Sequence, residues 1–586
     1  MDATGYCSGP FEKAHKHLRF DDVAWSTSEI LQACTCYVLP MASTEPAALK
    51  VFGIPEPAQL ICATTRRSDD VNLMRVCRQL FYSMLPFVWE EIDEANPLVS
   101  LIPGGGIVTY DSDLSPYVVM QLPGSLELSR FNIYDPHVKE LTPAVFHVDR
   151  HDGWEAFLAC TRSVDLLPNL KTLNAPSPDG GWYMGSSRKI NTDTINWTIA
   201  FLSASLRNLT LIPELIYSIR PSPPLSFFWF NQLMGYLSQK CPNLDSFSIF
   251  SGNVIRRSHR LLSSPARRVR FWGGLPEIYS SFLQLSNLSS LMISSAAMGS
   301  GALITLSHLP KLHSLSILGL EDDRTVHWDY LDIPAEGFPA LKFLQLIQLT
   351  WGTIANLCKI KPVISRLLTL RITSPYRSNC GFIEGEKIPK RFSDVVPLLA
   401  THNSNIVNLV VFNSGDRPAY PEVLKAWSHL PLIRLHLGWH VIRSCGFYSF
   451  CCILSCLPLL EDLKLGMAQT PFELRQLRWI VELLPRLRCL QIPVNWGSIA
   501  ELPEEEFIPC QPRSNDTLYL MSHFYLPEPQ QESAERMARY LSILRPSSSV
   551  VCRPQEAYFY CYDARAYADQ QPKDMINVEL SRLKSK

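Results

Sequence analysis

The sequence predicts an α/β architecture in which a small helical module precedes a long, irregular solenoid of strand–loop–helix repeats. Three observations predict it. A short leucine phrase recurs eleven times after residue 160, amphipathic stretches separate several copies, and one segment near residue 70 has apolar residues at helical spacing. A chain of 586 residues fits this design, because a solenoid grows by stacking without the size limit of a single core.

Composition and charge narrow the function classes. Hydrophobic residues make up 46% and charged residues 19%, which is typical of a folded chain. With 54 Lys+Arg against 55 Asp+Glu, no basic excess points to a nucleic-acid partner. The 17 cysteines form no C-x-x-C pairs at zinc spacing, so we expect neither a metal nor a cofactor. The start lacks the layout of a signal peptide, which predicts reduced thiols and a cytoplasmic or nuclear protein.

The helical module is predicted from "DDVNLMRVCRQLFYSMLPFVWEEID", residues 69–93. Ser68 is a suitable N-cap, and Pro86 is expected to end the helix. The apolar residues at helical spacing are Leu73, Val76, Cys77, Leu80, Phe81 and Met84. A second helix is expected to begin at Pro55 in "IPEPAQLICATT", with Leu60 and Ile61 on its packing side. The module either buries its own core as an ordinary hairpin or, being small, needs a partner to cover apolar surface.

These residues resemble an F-box. Leu-Pro is represented by Ile54 and Pro55, and Val-Cys-Arg by residues 76–78. Leu-Pro-x-x-Trp is matched by Leu85, Pro86 and Trp89. The resemblance implies a non-catalytic tether that docks onto a Skp-family adaptor and through it onto a cullin, in SCF-type ubiquitin ligases. The adaptor-binding residues that it implies are Ile54, Pro55, Ile61, Leu73, Val76, Cys77, Leu80, Leu85, Pro86 and Trp89.

The solenoid is predicted from the phrase L-x-x-L-x-L, usually preceded by proline. The copies begin at residues 167, 206, 241, 285, 309, 338, 365, 405, 430, 457 and 484. Pro431, Pro458 and Pro485 are 27 residues apart, within the leucine-rich-repeat range of about 20–29. Stacked strands would give a horseshoe, irregular because other spacings vary. Such arrays resemble those of the F-box-like family expanded in fungi.

Two apolar stretches between copies are predicted to be helices of this solenoid. "FELRQLRWIVELL" (472–484) has helical spacing, as does "YPEVLKAWSHL" (420–430). "SCGFYSFCCILSCLPLL" (444–460) is expected to be a buried solenoid helix, since it is too short and too polar to span a membrane. Farther on, "ELPEEEF" (501–507) is expected to be an acidic loop, and 532–551 a terminal helix–strand repeat. The last residues, from 570, are expected to be a mobile tail.

Alternation along each strand predicts a surface for a substrate. The residue between the last two apolar positions faces away from the core. These residues are Ser248, Ser316, Gln345, Arg371, His436, Lys464 and Gln491. Their mixed charge favours a protein over a phosphate backbone. The candidates for substrate binding are Gln345, Arg371, His436, Lys464 and Gln491, with ordinary solvation as the alternative.

Catalytic signatures are absent from the sequence. It contains no phosphate-loop, nucleophile-elbow, zincin or dinucleotide motif. "GGG" (104–106) is interpreted as a linker, and "DRHDGWE" around His151 as a surface turn rather than an acid–base site. The basic run at 256–271 is interpreted as a solvated loop, with a nuclear signal or nucleic-acid patch as the alternative.

The predicted organisation has five parts. They are an N-terminal extension (1–50), an F-box-like helical domain (51–105), a linker or solenoid cap (106–160), the repeat solenoid (161–555) and a C-terminal tail (556–586). The predicted function is a substrate receptor of an SCF-type ligase, binding an unknown protein substrate. The alternative is a non-catalytic scaffold whose degenerate F-box does not engage the adaptor, favoured by Pro57 and Arg75. An enzyme with an unrecognised site is a third hypothesis.

Overall fold

The computed structural model divides the chain into two compact units. The first comprises Met1–Pro176 with Thr192–Leu206, and the second Ser177–Asn191 with Arg207–Lys586. The structure describes residues 54–111, 117–144, 148–175, 192–211, 225, 227–250, 279–295, 300–319, 333–373, 394–402, 405–412, 426–466, 471–508, 517–545, 550–554 and 570–585. The extension 1–50 and the basic run 256–271 lie outside the described residues.

The described part of the first unit, which starts at residue 54, has three helices followed mainly by short strands. Its elements are α1 (Pro55–Thr64), α2 (Arg67–Met74), α3 (Arg78–Val88), β1 (Glu91–Glu94), α4 (Asn96–Val99), β2 (Gly106–Tyr110), β3 (Tyr117–Gln121), two 3-10 turns (Phe131–Ile133 and Asp135–His137), β4 (Glu140–Ala144), β5 (Arg150–Asp152), α5 (Trp154–Thr161), β6 (Thr172–Asn174) and α6 (Thr192–Ala200).

The prediction of one helix from Ser68 to Met84 is wrong. The chain leaves the helix after Met74, where the N–H groups of Arg75 and Val76 bond to carbonyls only three residues back. Cys77 is extended and caps α3, its Sγ accepting from the Leu80 N–H at 3.5 Å. The apolar periodicity predicts a continuous helix across residues 75–77, but the local hydrogen bonds end one helix there and begin the next. Neither does Ser68 cap α2, which begins one residue earlier.

Pro86 lies inside α3 and does not end it. The helix continues to Val88, with Trp89 as its C-cap. A proline removes the hydrogen bond of its own nitrogen and crowds the carbonyl four residues back, but α3 tolerates it within three residues of its end.

A parallel ladder already forms in the first unit. Strand β4 pairs in parallel with β1 on one side and with β6 on the other. Ile92, Leu141 and Leu173 follow one another across it, each at most 1% exposed.

A separate sheet of β2, β3 and β5 occupies part of the segment predicted to be a linker. Within "GGG", Gly104 and Gly106 have positive φ angles of 82° and 130°, which fits a turn before β2.

In its described residues, the second unit alternates strands with helices or turns. Its elements are β7 (Asn208–Leu211), α7 (Phe227–Lys240), β8 (Ser246–Ile249), a 3-10 turn (Ser281–Gln284), β9 (Ser290–Ser294), α8 (Ser300–Ser307), β10 (Ser314–Leu318), β11 (Phe343–Ile347), α9 (Trp351–Cys358), α10 (Lys361–Ile364), β12 (Thr369–Thr373), α11 (Val396–His402), β13 (Asn408–Phe412), β14 (Arg434–Leu437), α12 (Trp439–Ser455), β15 (Asp462–Leu465), α13 (Leu474–Leu483), β16 (Cys489–Gln491), two 3-10 turns (Trp496–Glu501 and Glu504–Phe507), β17 (Leu518–Ser522), α14 (Gln530–Leu544), β18 (Val550–Pro554) and α15 (Gln570–Lys584).

Strands β7 to β18 form a leucine-rich-repeat solenoid. Each strand pairs in parallel with the next one in the chain. One buried row crosses them at Leu209, Phe247, Leu291, Leu315, Leu344, Leu370, Leu409, Leu435, Leu463, Leu490, Leu520 and Cys552. Each of the eleven predicted phrases becomes one strand, so the α/β repeat prediction is confirmed. A strand cannot bury its apolar side alone, and stacking supplies the cover.

Backbone hydrogen bonds repeat with the strands. One carbonyl accepts from two successive N–H groups of the next copy: Arg207 accepts from Asp245 at 2.8 Å and from Ser246 at 2.9 Å. The same arrangement recurs at Val407, which accepts from Ile433 and Arg434 at 2.9 Å. These paired bonds fix the register at the start of each strand.

The C-terminal region agrees with the predictions in part. The terminal helix and strand are present as α14 and β18, and the acidic "ELPEEEF" forms short 3-10 turns. The predicted mobile tail is wrong, because residues 570–584 form α15, in which Ile576 and Leu580 are at most 3% exposed. The stretch at 444–460 contributes to α12, and among the described residues no helix is long and apolar enough to cross a membrane.

Candidate functional site

The three N-terminal helices close around their own small core. Its buried members are Ala58 from α1, Met74 from α2, and Met84, Leu85 and Val88 from α3. Partly buried residues surround this core, among them Ile61, Leu73 and Trp89. All three helices contribute to one cluster. This is also what an ordinary helical hairpin that buries its own core would show.

The module is also held to other parts of the first unit. Trp89 lies against Tyr134, with ring centroids 4.4 Å apart, and Phe81 meets the same ring edge-on at 6.2 Å. Inside the module, the Thr65 hydroxyl donates to the carboxylate of Asp70, which is 4% exposed. The ring contacts hold α3 against Tyr134, and the hydrogen bond joins the end of α1 to α2.

The predicted adaptor-binding residues differ in exposure. Ile54 is 50% exposed and Val76 is 69% exposed. By contrast, Leu80 is 4% and Leu85 is 1% exposed. Pro55 is exposed, and the half-buried remainder consists of Ile61, Leu73, Cys77, Pro86 and Trp89. Among these residues, the exposed ones therefore lie on the surface of the module, whereas Leu80 and Leu85 are buried.

Two exposed apolar residues of the module were not among the predicted adaptor-binding residues. Leu60 in α1 is 66% exposed, and Tyr82 in α3 is 53% exposed. The guanidinium carbon of Arg78 lies 5.8 Å from the Tyr82 ring centroid. The prediction that Leu60 packs beside Ile61 is wrong, because Ala58 and Ile61 face the core and Leu60 points away from it.

The second unit presents a row of side chains on the face of the sheet opposite the buried leucines. We call this the outward row. It consists of Thr210, Ser248, Met292, Ser316, Gln345, Arg371, Val410, His436, Lys464, Gln491, Met521 and Arg553. The structure thus brings all predicted substrate-binding candidates into one line. Whether a substrate touches them stays a prediction.

Exposure again separates the candidates. Gln491 is 0% and Ser316 is 5% exposed, so neither side chain offers surface to a ligand. Gln345, Arg371, His436 and Lys464 are partly exposed. Arg553, which the sequence reasoning missed, is exposed; its strand "VVCRP" lacks the leucine phrase that identified the others.

Charge is concentrated in the later strands. His436 Nε2 lies 3.6 Å from Oδ2 of Asp462, which neighbours it on β15. Burial tends to raise the pKa of Asp462, but the nearby His436 imidazole and the charge of Lys464 outweigh burial and lower that pKa. This carboxyl is therefore held ionised beside the cations of the row.

His151 does not lie in a surface turn, and that prediction is wrong. It is part of β5, with its side chain 7% exposed and Nδ1 3.0 Å from Oδ2 of Asp193. Trp154 Nε1 donates to the other oxygen of Asp193 at 2.7 Å, and the Trp197 ring lies 5.8 Å from the imidazole. One carboxylate thus joins β5, α5 and α6 in a packed cluster. Among the described residues, no group of three or more His, Cys, Asp or Glu side chains could hold a metal ion.

No family model matches the sequence, and no curated protein matches it. Three examples of solved structures that are similar to it in fold follow. The leucine-rich repeat-containing protein LegL7 from Legionella pneumophila is 13% identical, covering 70% of this chain and 98% of LegL7, with a TM-score of 0.33. A chain of the yeast Rad7 and Elc1 complex is 16% identical, covering 61% and 76%, with a TM-score of 0.30. A chain of the TLR13–ssRNA13 complex is 12% identical, covering 80% of this chain and 69% of that chain, with a TM-score of 0.31.

Proposed function

We propose that this chain is the substrate-recruiting receptor subunit of an SCF-type ubiquitin ligase. In this proposal the helical domain at 51–105 binds a Skp-family adaptor and through it a cullin. The repeats within 161–555 bind a protein substrate, and the protein acts in the cytoplasm or nucleus. The chain supplies proximity rather than covalent chemistry, because tethering raises the effective concentration of the substrate near the conjugating enzyme.

The observation that carries the proposal is the exposure of Val76 at the break between α2 and α3. This residue belongs to the Val-Cys-Arg motif and is 69% exposed. It therefore stays outside the hydrophobic core that the three helices form. Cys77 in the same motif caps α3, which fixes where Val76 emerges. An aliphatic anchor presented from a rigid helical module fits the helix-in-groove mode of partner recognition.

The experiment is a binding titration of the purified full-length chain with a recombinant Skp-family adaptor. The test variant is Val76→Asp. The matched control is Val578→Asp, the same substitution on α15, where the valine is 65% exposed. Leu80→Asp is unsuitable, because a charge at a site that is 4% exposed would disrupt folding.

The expected result is adaptor binding by the wild type and by Val578→Asp, and a loss of about tenfold or more in Val76→Asp, as for a central interface residue. Circular dichroism should show the same helix content in all three proteins. Equal affinity of the two variants would contradict the role of Val76. No binding by a folded wild type would contradict the whole proposal.

The second candidate function is a repeat scaffold that does not bind the adaptor, and Arg75 favours it. Arg75 is exposed and places a cation beside Val76, which opposes burial of that valine. Pro57 is a weaker argument, since it is the third residue of α1, where the N–H has no intrahelical partner to lose. Adaptor binding separates the two functions directly.

A further inference from the structure

The outward row of the second unit changes character along the sheet. From β7 to β11 its five members are uncharged. From β12 to β18 it contains Arg371, Lys464 and Arg553, which are all of its Lys and Arg residues. The cations are therefore confined to one half of this face.

The three cations are regularly spaced. They lie on β12, β15 and β18, so three strand steps separate each from the next. At about 4.8 Å per strand step, the separation is about 14 Å, which an extended chain spans in about four residues. A peptide crossing the strands would thus meet a cation at every fourth residue.

Aromatic neighbours orient both arginines. The guanidinium carbon of Arg371 lies 5.7 Å from the Phe412 ring centroid, and that of Arg553 lies 4.3 Å from the Tyr519 ring centroid. Stacking occupies the flat face of a guanidinium and leaves its N–H edge for a planar, bidentate partner such as a carboxylate.

The surroundings favour an anion. Arg434 adds a further exposed cation on β14, in the adjacent outward position. At the outward positions of the described strands β12 to β18, Asp462 is the one carboxylate, and it lies beside His436. This part of the surface is therefore cationic, although the whole chain has a formal net charge of −1.

We propose that the outward face of β12–β18 binds an extended acidic peptide segment of the substrate, with carboxylates at every fourth residue facing Arg371, Lys464 and Arg553. This inference rests on the proposed function, which makes the repeats the substrate-binding part. A nucleic-acid strand fits less well, since its phosphates follow one another at about 3.4 Å along a duplex strand. The row instead separates its cations by uncharged residues: Val410 is half-buried, whereas Gln491 and Met521 are 0% and 6% exposed and would lie beneath the peptide without contacting it.

The test measures fluorescence anisotropy of the full-length chain with labelled probes. The main probe is a nine-residue peptide with Glu at positions 1, 5 and 9 and Ser, Thr or Val elsewhere. Comparison probes carry Glu at positions 1, 2 and 3, or Gln at 1, 5 and 9, and the fourth probe is a single-stranded DNA oligonucleotide.

Two triple variants change the net charge equally. The test variant is Arg371→Gln with Lys464→Gln and Arg553→Gln. The control is Lys342→Gln with Lys361→Gln and Arg486→Gln, three exposed cations outside the outward row. A double variant, Lys464→Gln with Arg553→Gln, keeps Arg371 in place and serves if the triple variant unfolds early.

We expect the peptide with Glu at 1, 5 and 9 to bind more tightly than the other probes. Its affinity should fall at least tenfold in the test triple variant, at least fivefold in the double variant, and less than twofold in the control. Equal losses in the two triple variants, equal or tighter binding of the oligonucleotide, or no peptide binding by the wild type would overturn the proposal.

Adaptor binding by the same proteins separates this inference from the proposed function. The test triple variant should bind the adaptor as the wild type does, since its substitutions lie in the second unit. If the adaptor fails to bind while the peptide pattern holds, the ligase role fails and the acidic-peptide site stands. If the adaptor binds and the peptide pattern is absent, only the peptide site fails.

Discussion

The guanidinium of Arg67, the first residue of α2, donates from Nη2 to the backbone carbonyl of Val88 at the end of α3, at 3.0 Å. The same nitrogen bonds to the carbonyl of Glu91, and Nη1 lies 3.6 Å from the carboxylate of Asp93. The last carbonyls of a helix have no intrahelical partner and attract a cation. One side chain thus joins the helical module to β1.

Replacing Arg67 should weaken this junction. We expect Arg67→Met to lower the free energy of unfolding by about 1–3 kcal/mol, because it leaves the Val88 carbonyl without its charged donor. Arg66→Met is the control, since Arg66 is exposed and precedes α2. Urea unfolding of both variants is the measurement. An equal loss in the two variants would show that the Arg67 hydrogen bonds contribute nothing specific.

Asp135 should make the stability of the first unit depend on pH. Asp135 is 9% exposed, and burial raises the pKa of its carboxyl group to about 6. Because the folded pKa exceeds that of an unfolded aspartate, about 3.9, ionisation opposes folding, and stability is lost as pH rises from about 4 through 6.

The corresponding substitution is Asp135→Asn, which removes the charge at nearly constant volume. We expect it to be more stable than the wild type at pH 7, and the advantage to shrink by pH 4. The comparison is made by urea unfolding at several pH values, with the exposed Asp111→Asn as control. An advantage that stays constant between pH 4 and pH 7 would contradict this account.

Leu463 and Leu459 should respond differently to the same substitution. Leu463 is 0% exposed in the buried row, whereas Leu459, three residues before β15 begins, is 38% exposed. We expect Leu463→Ala to cost about 2–5 kcal/mol and Leu459→Ala less than about 1 kcal/mol. Chemical denaturation measures both. Similar costs would mean that the buried row is not the core of the repeats.

The strand ladder was predictable because its signal is local and repeated. Each phrase places Leu at positions that stacking must bury, so eleven strands could be located from the sequence. The copies at β1, β4 and β17 were missed, since "EIDE", "ELTPA" and "LYLMS" follow no L-x-x-L-x-L phrase. Their burial depends on neighbouring strands rather than on their own pattern.

The candidate surfaces were predictable in position but not in exposure. Alternation assigns Gln491 to the outward row, yet other parts of the fold cover it completely. Likewise, helical spacing places Leu80 beside Val76 on one face, whereas the break at Cys77 separates them into a buried and an exposed residue. Such differences arise from hydrogen bonds and packing between distant segments, which spacing does not record.

Asn577 of α15 binds both backbone groups of Cys552 in β18. The Cys552 N–H donates to Oδ1 at 2.9 Å, and Nδ2 donates to the Cys552 carbonyl at 3.0 Å. In the described part of the second unit, β18 is the last strand of the ladder and pairs with β17 on one side. The unpaired N–H and C=O groups of an edge strand can pair with another chain, and solenoids cover such an edge with a terminal cap.

Asn577→Leu should therefore open the end of the solenoid. It keeps the branching and the number of side-chain heavy atoms but removes both hydrogen bonds, so we expect a loss of about 1–3 kcal/mol and faster amide exchange in residues 550–554. Hydrogen exchange with mass spectrometry measures the edge directly, and light scattering measures association of the chains. The control is Val578→Leu, which introduces the same side chain at the next, exposed position of α15. If exchange at β18 is as slow in Asn577→Leu as in the control, α15 is not the cap of this ladder, and the edge must be protected by contacts other than these two bonds.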